Sequence, residues 1–216
     1  MDIKTSVWYG LGRIVGLAQA VRAKQYLEKG DYKRALQAFT NAIRLDPTLK
    51  VVHVNIGVTY QKLGNSQKAL QAYSEAIRLD PDYVLAYNNR GYLQALLGNF
   101  DEAEQDLQKA LELDSNYLNI YGSRATLRLL TTDYDDALQD FQEALSLKPD
   151  YDFANMGIAL IHYAKGDTEK AKELWKSLLK KEPRYSDAEW IRTQWSWTDQ
   201  LLEPTRQINA LLIGKN

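Results

Sequence analysis

Ala35, Ala69, Ala103, Ala137 and Ala171 recur at a fixed interval of 34 residues. Three further combs run in the same phase. Gly30, Gly64, Gly98 and Gly166 form one, with Thr132 at the missing step. Pro47, Pro81, Pro149 and Pro183 form another, with Ser115 filling its gap, and Tyr83, Tyr117, Tyr151 and Tyr185 form the last. No insertion or deletion interrupts them. Such a period restricts the chain to an array of like supersecondary units, each too small to bury its own apolar face and each stacked on its neighbours. Five repeats result, 16–49, 50–83, 84–117, 118–151 and 152–185, with a lead-in segment or short helix before them (1–15) and a capping helix and tail after them (186–216).

Within a repeat the apolar spacing is helical. In the second repeat, Val51 to Leu63 reads as one helix, broken by Gly64-Asn65, and Gln67 to Leu79 reads as another, ended by Asp80-Pro81. The chain is therefore predicted to be all-α. Position 8 of the repeat is small throughout (Ala23, Gly57, Gly91, Ala125, Ala159) and position 20 is always alanine. Two helix backbones that cross closely need small residues at the crossing. Position 24 is bulky in every repeat (Phe39, Tyr73, Leu107, Phe141, Trp175) and fills the space beside it.

This pattern resembles the tetratricopeptide repeat, a 34-residue helix–turn–helix with small residues at positions 8 and 20, a bulky one at 24 and proline at 32. The runs NIGVTYQKLGNSQKALQAYSEAIRLDP and NNRGYLQALLGNFDEAEQDLQKALELD carry it most fully. The resemblance spans 16–185 and implies a right-handed superhelical solenoid of antiparallel helix pairs, closed by a C-terminal capping helix. It is specific for fold and nearly silent on function. Two departures stand out. Thr131-Thr132-Asp133 replaces the usual Leu-Gly turn and is predicted to loosen it. Leu178 stands where position 27 is otherwise alanine, and is predicted to face a different neighbour, the C-terminal cap.

Positions 7 and 23 vary together. Arg90 pairs with Asp106 and Arg124 with Asp140 in repeats 3 and 4, while repeats 2 and 5 have Ile56/Ala72 and Ile158/Leu174. Charge meets charge or apolar meets apolar, as expected of an interhelical ion pair, because an unpaired buried charge is costly. These pairs read as structural. Arg22 faces Ala38 and breaks the rule; it is expected to reach solvent or the lead-in helix.

The two ends carry different signals. Residues 6–21 are apolar, and Ala18-Gln19-Ala20 imitates a cleavage site. Arg13 interrupts the stretch, however, and cleavage there would cut the first repeat helix, so a secretory signal is not expected. Trp8, Leu11 and Val15 fit one face of a lead-in helix. At the other end, 187–203 reads as a capping helix with Ala188, Ile191, Trp195, Thr198 and Leu202 on one stripe. Trp190, Trp195 and Trp197 exceed what one capping face needs. Either Pro204 ends this helix and Ile208, Leu211 and Leu212 fold back over it, or Trp8, Trp190, Trp195 and Trp197 form a surface for a partner or a second copy.

The composition narrows the chemistry. There is no cysteine, which excludes disulfides and thiolate catalysis or metal ligation. With 27 basic and 28 acidic residues the net charge is −1, which argues against a nucleic-acid partner. Acid gathers in repeats 3 and 4 and base at the ends, a distribution compatible with head-to-tail association. His53 and His162 lie in different repeats, each at a position that normally packs. No phosphate-cradling glycine loop, metal-ligand spacing or nucleophile elbow occurs. No enzymatic activity, cofactor, metal or small-molecule substrate is expected. No apolar run reaches the ~18–20 residues of a membrane span; the expected setting is the cytoplasm or an organelle stroma, with membrane contact only through a partner.

The resemblance further implies a concave groove lined by the first helices through positions 2, 5, 6, 9 and 12. Here the candidate peptide-binding residues are Lys24, Val54, Asn55, Val58, Leu85, Asn88, Asn89, Tyr92, Asn119, Ser123 and Thr126, a surface with one charge and an amide-rich middle. Asparagines at position 6 (Asn55, Asn89) hold an extended peptide backbone in relatives, since an amide both donates and accepts. The cation set with which related clamps grip the acidic chaperone tails is missing. The expected function is a non-enzymatic adaptor, scaffold or chaperone-like assembly factor that holds an uncharged or apolar segment of another protein. The alternative is a self-associating scaffold using the tryptophan-rich cap and the N-terminal segment. A weaker one, by analogy with tetratricopeptide proteins of cyanobacteria and plastids, is assembly of a photosynthetic membrane complex.

Overall fold

The computed structural model describes the backbone of residues 3–213 and the side chains of residues 12–212. Within these the chain is helical, without a strand. It runs α1 (Ile3–Glu28), α2 (Tyr32–Leu45), α3 (Lys50–Lys62), α4 (Ser66–Leu79), α5 (Val84–Leu96), α6 (Phe100–Leu113), α7 (Leu118–Leu130), α8 (Tyr134–Leu147), α9 (Asp152–Ala164) and α10 (Thr168–Lys181). A 3₁₀ turn (Pro183–Ser186) leads to α11 (Ala188–Trp195) and α12 (Asp199–Ile213). These helices divide into two compact units, Met1–Arg90 and Gly91–Asn216.

Each repeat forms the expected helix pair, and the combs explain why. The alanines at position 20 and the bulky residues at position 24 are all fully buried. A Cβ on Gly57 would come within 2.4 Å of the Tyr73 ring, and one on Gly91 within 2.8 Å of Leu107. The small residue at 8 thus makes room for the large residue at 24 of the same repeat. Burying each large side chain contributes about 1.5–3 kcal/mol. Asp31, Asn65 and Asp167 start α2, α4 and α10 by accepting hydrogen bonds from the main-chain amides of Arg34, Lys68 and Lys170.

Gly64 turns the chain from α3 to α4 at φ +73, and Thr132 turns it from α7 to α8 at φ +66. The loosening expected at Thr132 does not occur. The Asp133 amide bonds the Arg128 carbonyl at 2.8 Å, as the Asn65 amide bonds Tyr60 at 2.9 Å. The Thr131 hydroxyl adds a bond of 2.6 Å to the Asp133 carboxylate. A β-branched residue has taken the left-handed conformation, and local hydrogen bonds hold it there.

Both ends depart from expectation. The lead-in segment and the first helix of repeat 1 are one continuous helix, α1. A Cβ on Gly12 would stand 3.3 Å from the Leu45 carbonyl and one on Gly16 3.2 Å from the Ala42 carbonyl, so these glycines let α1 lie close along the end of α2. The side chains of Trp8 and Leu11 fall outside the described residues. At the C-terminus, the single helix expected over 187–203 is two. Ser196 adopts φ +58, ends α11 and swings Trp197 into the core of the C-terminal unit. Pro204 lies inside α12 instead of ending a helix. Leu178 packs in the same core as Leu202 and Ile208 of α12, in keeping with a neighbour that differs from the other repeats.

Candidate peptide-binding faces

In the N-terminal unit, the first-helix positions lie on α1, α3 and the start of α5. Lys24 is exposed, paired weakly with Glu28 at 4.0 Å. Asn55, Val58, Leu85 and Asn89 are half-buried, with Val51 and Leu17 exposed beside them. Among the described residues the Asn55 side-chain amide has no hydrogen-bond partner. Asn89 accepts a long contact of 3.4 Å from Asn88. Two candidates are not on the surface: Val54 and Asn88, both at position 5, are buried. The cause is visible in the C-terminal unit, where position 5 of repeat 4, Gly122, sits against position 2 of repeat 5: a Cβ there would meet Phe153 at 3.2 Å. Position 5 is a packing position between successive first helices.

In the C-terminal unit the corresponding face is occupied by the chain itself. Tyr92 donates its hydroxyl proton to the main-chain carbonyl of Trp195 at 2.6 Å. Phe153 lies 5.8 Å from the rings of both Trp195 and Trp197, edge-on to the latter. Tyr163 donates to Gln207, and the Gln200 side chain donates to the Leu130 carbonyl at 3.1 Å. Ser123 and Thr126 are buried, and Thr126 turns its hydroxyl to the Gly122 carbonyl. Burial pushes the Tyr92 phenol well above its ordinary pKa and that of Tyr151 up to about 12. Tyr92, Ser123 and Thr126 therefore do not line an open groove. Asn119 remains accessible and donates to the Tyr117 hydroxyl.

The tryptophans follow from the same arrangement. Trp197 is 1% exposed, while Trp190 and Trp195 are half-buried and meet edge to face. Arg184 stacks over Trp190. Trp197 shares the core with Leu202 and Ile208 of α12, so a partner surface that needs Trp197 is closed. One sequence signal pointed here: Phe153, Met156 and Leu160 are too apolar for a solvated wall.

The charged residues act within the framework. The Asp140 carboxylate is 1% exposed and accepts from Arg124 at 2.6 and 3.0 Å. It also accepts from Arg128 at 2.6 Å, a partner that the position-7 rule did not name. Arg90 and Asp106 fall in different units; Arg90 donates to the Ser74 hydroxyl at 2.9 Å, and Asp106 is buried. Arg22 is exposed and bonds the Tyr26 hydroxyl at 3.2 Å. His53 contacts the Pro47 carbonyl at the end of the preceding repeat, and His162 contacts the Asp167 carboxylate within its own.

The repeat geometry agrees with comparison to known proteins. Tetratricopeptide-repeat models match residues 54–117 and 128–192, and a TPR-repeat model matches 23–64. This is a tetratricopeptide-repeat protein. Its fold is shared with a thermophilic TPR protein of Thermus thermophilus, at 20% identity over 83% of this chain and 97% of that one, TM-score 0.71. PilF of Pseudomonas aeruginosa is similar at 18% identity over 96% and 95%, TM-score 0.69. PilW, described as a widely conserved type IV pilus biogenesis factor, is similar at 19% over 93% of each chain, TM-score 0.72. No curated protein matches the chain. Tetratricopeptide-repeat proteins are in general non-enzymatic protein-interaction modules. No described helix of this one is long and apolar enough to cross a membrane.

Proposed function

We propose that the chain is a non-enzymatic adaptor or assembly factor that holds an extended, largely uncharged segment of another protein on the first-helix face of its N-terminal unit. The observation that carries this reading is the division of labour between the units. The C-terminal face is filled by residues 195–207 of the same chain, whereas Asn55, Val58, Leu85 and Asn89 remain accessible and, among the described residues, the Asn55 amide is unengaged. An unengaged amide offers a donor and an acceptor to a peptide backbone. Val51, Val58 and Leu85 offer apolar contact to alternate side chains. The description of PilW as a biogenesis factor is in keeping with an assembly role.

Affinity near micromolar, about −8 kcal/mol, is expected for so short a contact. The test is a peptide selected by display against the whole chain. Replacing Asn55 and Asn89 together with arginine should weaken its binding at least tenfold while leaving the thermal transition in place. Undiminished binding by that variant contradicts the reading.

A further inference from the structure

A second interaction surface lies on the outward edge of α1. In every later repeat, position 3 of the first helix is fully buried: Val52, Ala86, Ile120 and Ala154. The second helix of the preceding repeat does the covering. Val52 shares a core with Phe39 and Ala42 of α2. Repeat 5 repeats the arrangement, since a Cβ on Gly157 would come within 2.1 Å of Phe141 of α8. In repeat 1 the same edge belongs to α1, and among the described residues nothing lies on it. Ala18, at position 3, is exposed, and so is Gln25, where Thr59 and Leu127 are buried.

A repeat edge that no neighbour covers normally presents a polar face. Here, among the described residues of α1, Arg22 and Gln25 do so. The preceding stretch exposes Ile14 by 65%, Val15 by 46% and Val21 by 63%. With Ala18 these form one helical stripe of apolar side chains around a small residue. The rim is basic. Arg13, Arg22 and Lys24 flank the stripe; Arg13 reaches Asp46 only at 3.8 Å and is 70% exposed. Residues 1–49 hold eight basic and four acidic side chains.

We propose that this edge docks an amphipathic helix of another protein, one with acidic side chains flanking its apolar stripe, laid down as the second helix of a preceding repeat would be. The repeat geometry specifies a helix, because a helix fills this position in the later repeats. The cationic rim specifies the acid. Ala18 at the centre is a small residue at the position where Ala86 and Ala154 are fully buried in later repeats.

The test uses the full chain and two helix-stabilised 18-residue peptides with leucine at every third or fourth position. One carries glutamate on its remaining faces and the other lysine. Anisotropy at 0.15 M salt should show the glutamate peptide binding at least tenfold more tightly than the lysine peptide. Ala18→Arg and, separately, Ile14→Arg should each weaken it at least tenfold. Both sites are exposed, so the melting transition should not move. The Asn55→Arg, Asn89→Arg variant should bind the helix unchanged, which separates this surface from the groove reading. Equal binding of the two peptides, no binding at 100 μM, or retention by both α1 variants overturns the proposal. So does loss of binding in the groove variant. A dimer in light scattering that Ala18→Arg dissolves would make a second copy the occupant and overturn it equally.

Discussion

The hydroxyl of Tyr92 on α5 and the main-chain carbonyl of Trp195 at the end of α11 lie 2.6 Å apart, joined by a hydrogen bond across 103 residues of sequence. This bond fixes the C-terminal segment on the face that first helices of the repeat otherwise leave open. It also ties the stability of the C-terminal unit to the segment that fills it.

Trp197→Ala should therefore be severe. The indole is buried at 1% against Phe153 and Trp195, and removing it leaves a cavity that the helices cannot close. The expected cost is about 3–5 kcal/mol. Tyr92→Phe removes one hydrogen bond and should cost about 0.5–1.5 kcal/mol. Denaturant unfolding followed by tryptophan fluorescence checks both, since four of the five tryptophans lie in this unit.

The same tyrosine sets an alkaline limit. Burial raises its folded pKa above the unfolded value of 10, so the neutral phenol is the stabilised form. The contribution is complete below about pH 10 and is lost as pH climbs from there towards the folded value. Melting temperatures recorded from pH 8 to 11 should fall above pH 10, and fall less steeply in Tyr92→Phe. An equal fall in both would remove Tyr92 as a cause.

Thr132 holds a left-handed conformation that costs a non-glycine residue about 1–2 kcal/mol. Thr132→Gly should recover part of this, raising stability by about 1 kcal/mol, and Gly64→Thr should lower it by at least as much. Both are read as shifts in the denaturation midpoint.

The Arg124–Asp140 pair should behave differently from one side and from both. Arg124→Ile alone leaves Asp140 buried with Arg128 as its remaining cation and should cost about 1.5–3 kcal/mol. Arg124→Ile with Asp140→Leu installs the combination that repeat 5 carries as Ile158 and Leu174, and should recover most of that loss. A double-mutant cycle in equilibrium unfolding measures the coupling.

The helix pairs were legible because their cause is local. A small residue at 8, alanine at 20 and a bulky residue at 24 state the crossing of two helices within one repeat, and Gly57 against Tyr73 is that statement in atoms. The ion pair at Arg124 was legible for the same reason. Residues outside the period were not. No comb specifies the turn at Ser196 or the union of the lead-in segment with α1. The face of the C-terminal unit looked open because positions 2, 5, 6, 9 and 12 describe a repeat in isolation. What fills it comes from Trp195, Trp197 and Gln200, which belong to no repeat. The buried Val54 and Asn88 were misplaced by the same isolation, since position 5 meets the next first helix.

Cysteine labelling tests the central claim most directly, since the chain has no cysteine of its own. Val58→Cys reports the N-terminal face and Thr126→Cys the C-terminal one. A maleimide should label Val58→Cys readily in the native protein and Thr126→Cys only through unfolding, and a display-selected peptide should protect Val58→Cys. Rapid labelling of Thr126→Cys, or a bound peptide that leaves Val58→Cys unprotected, would contradict the assignment of the two faces.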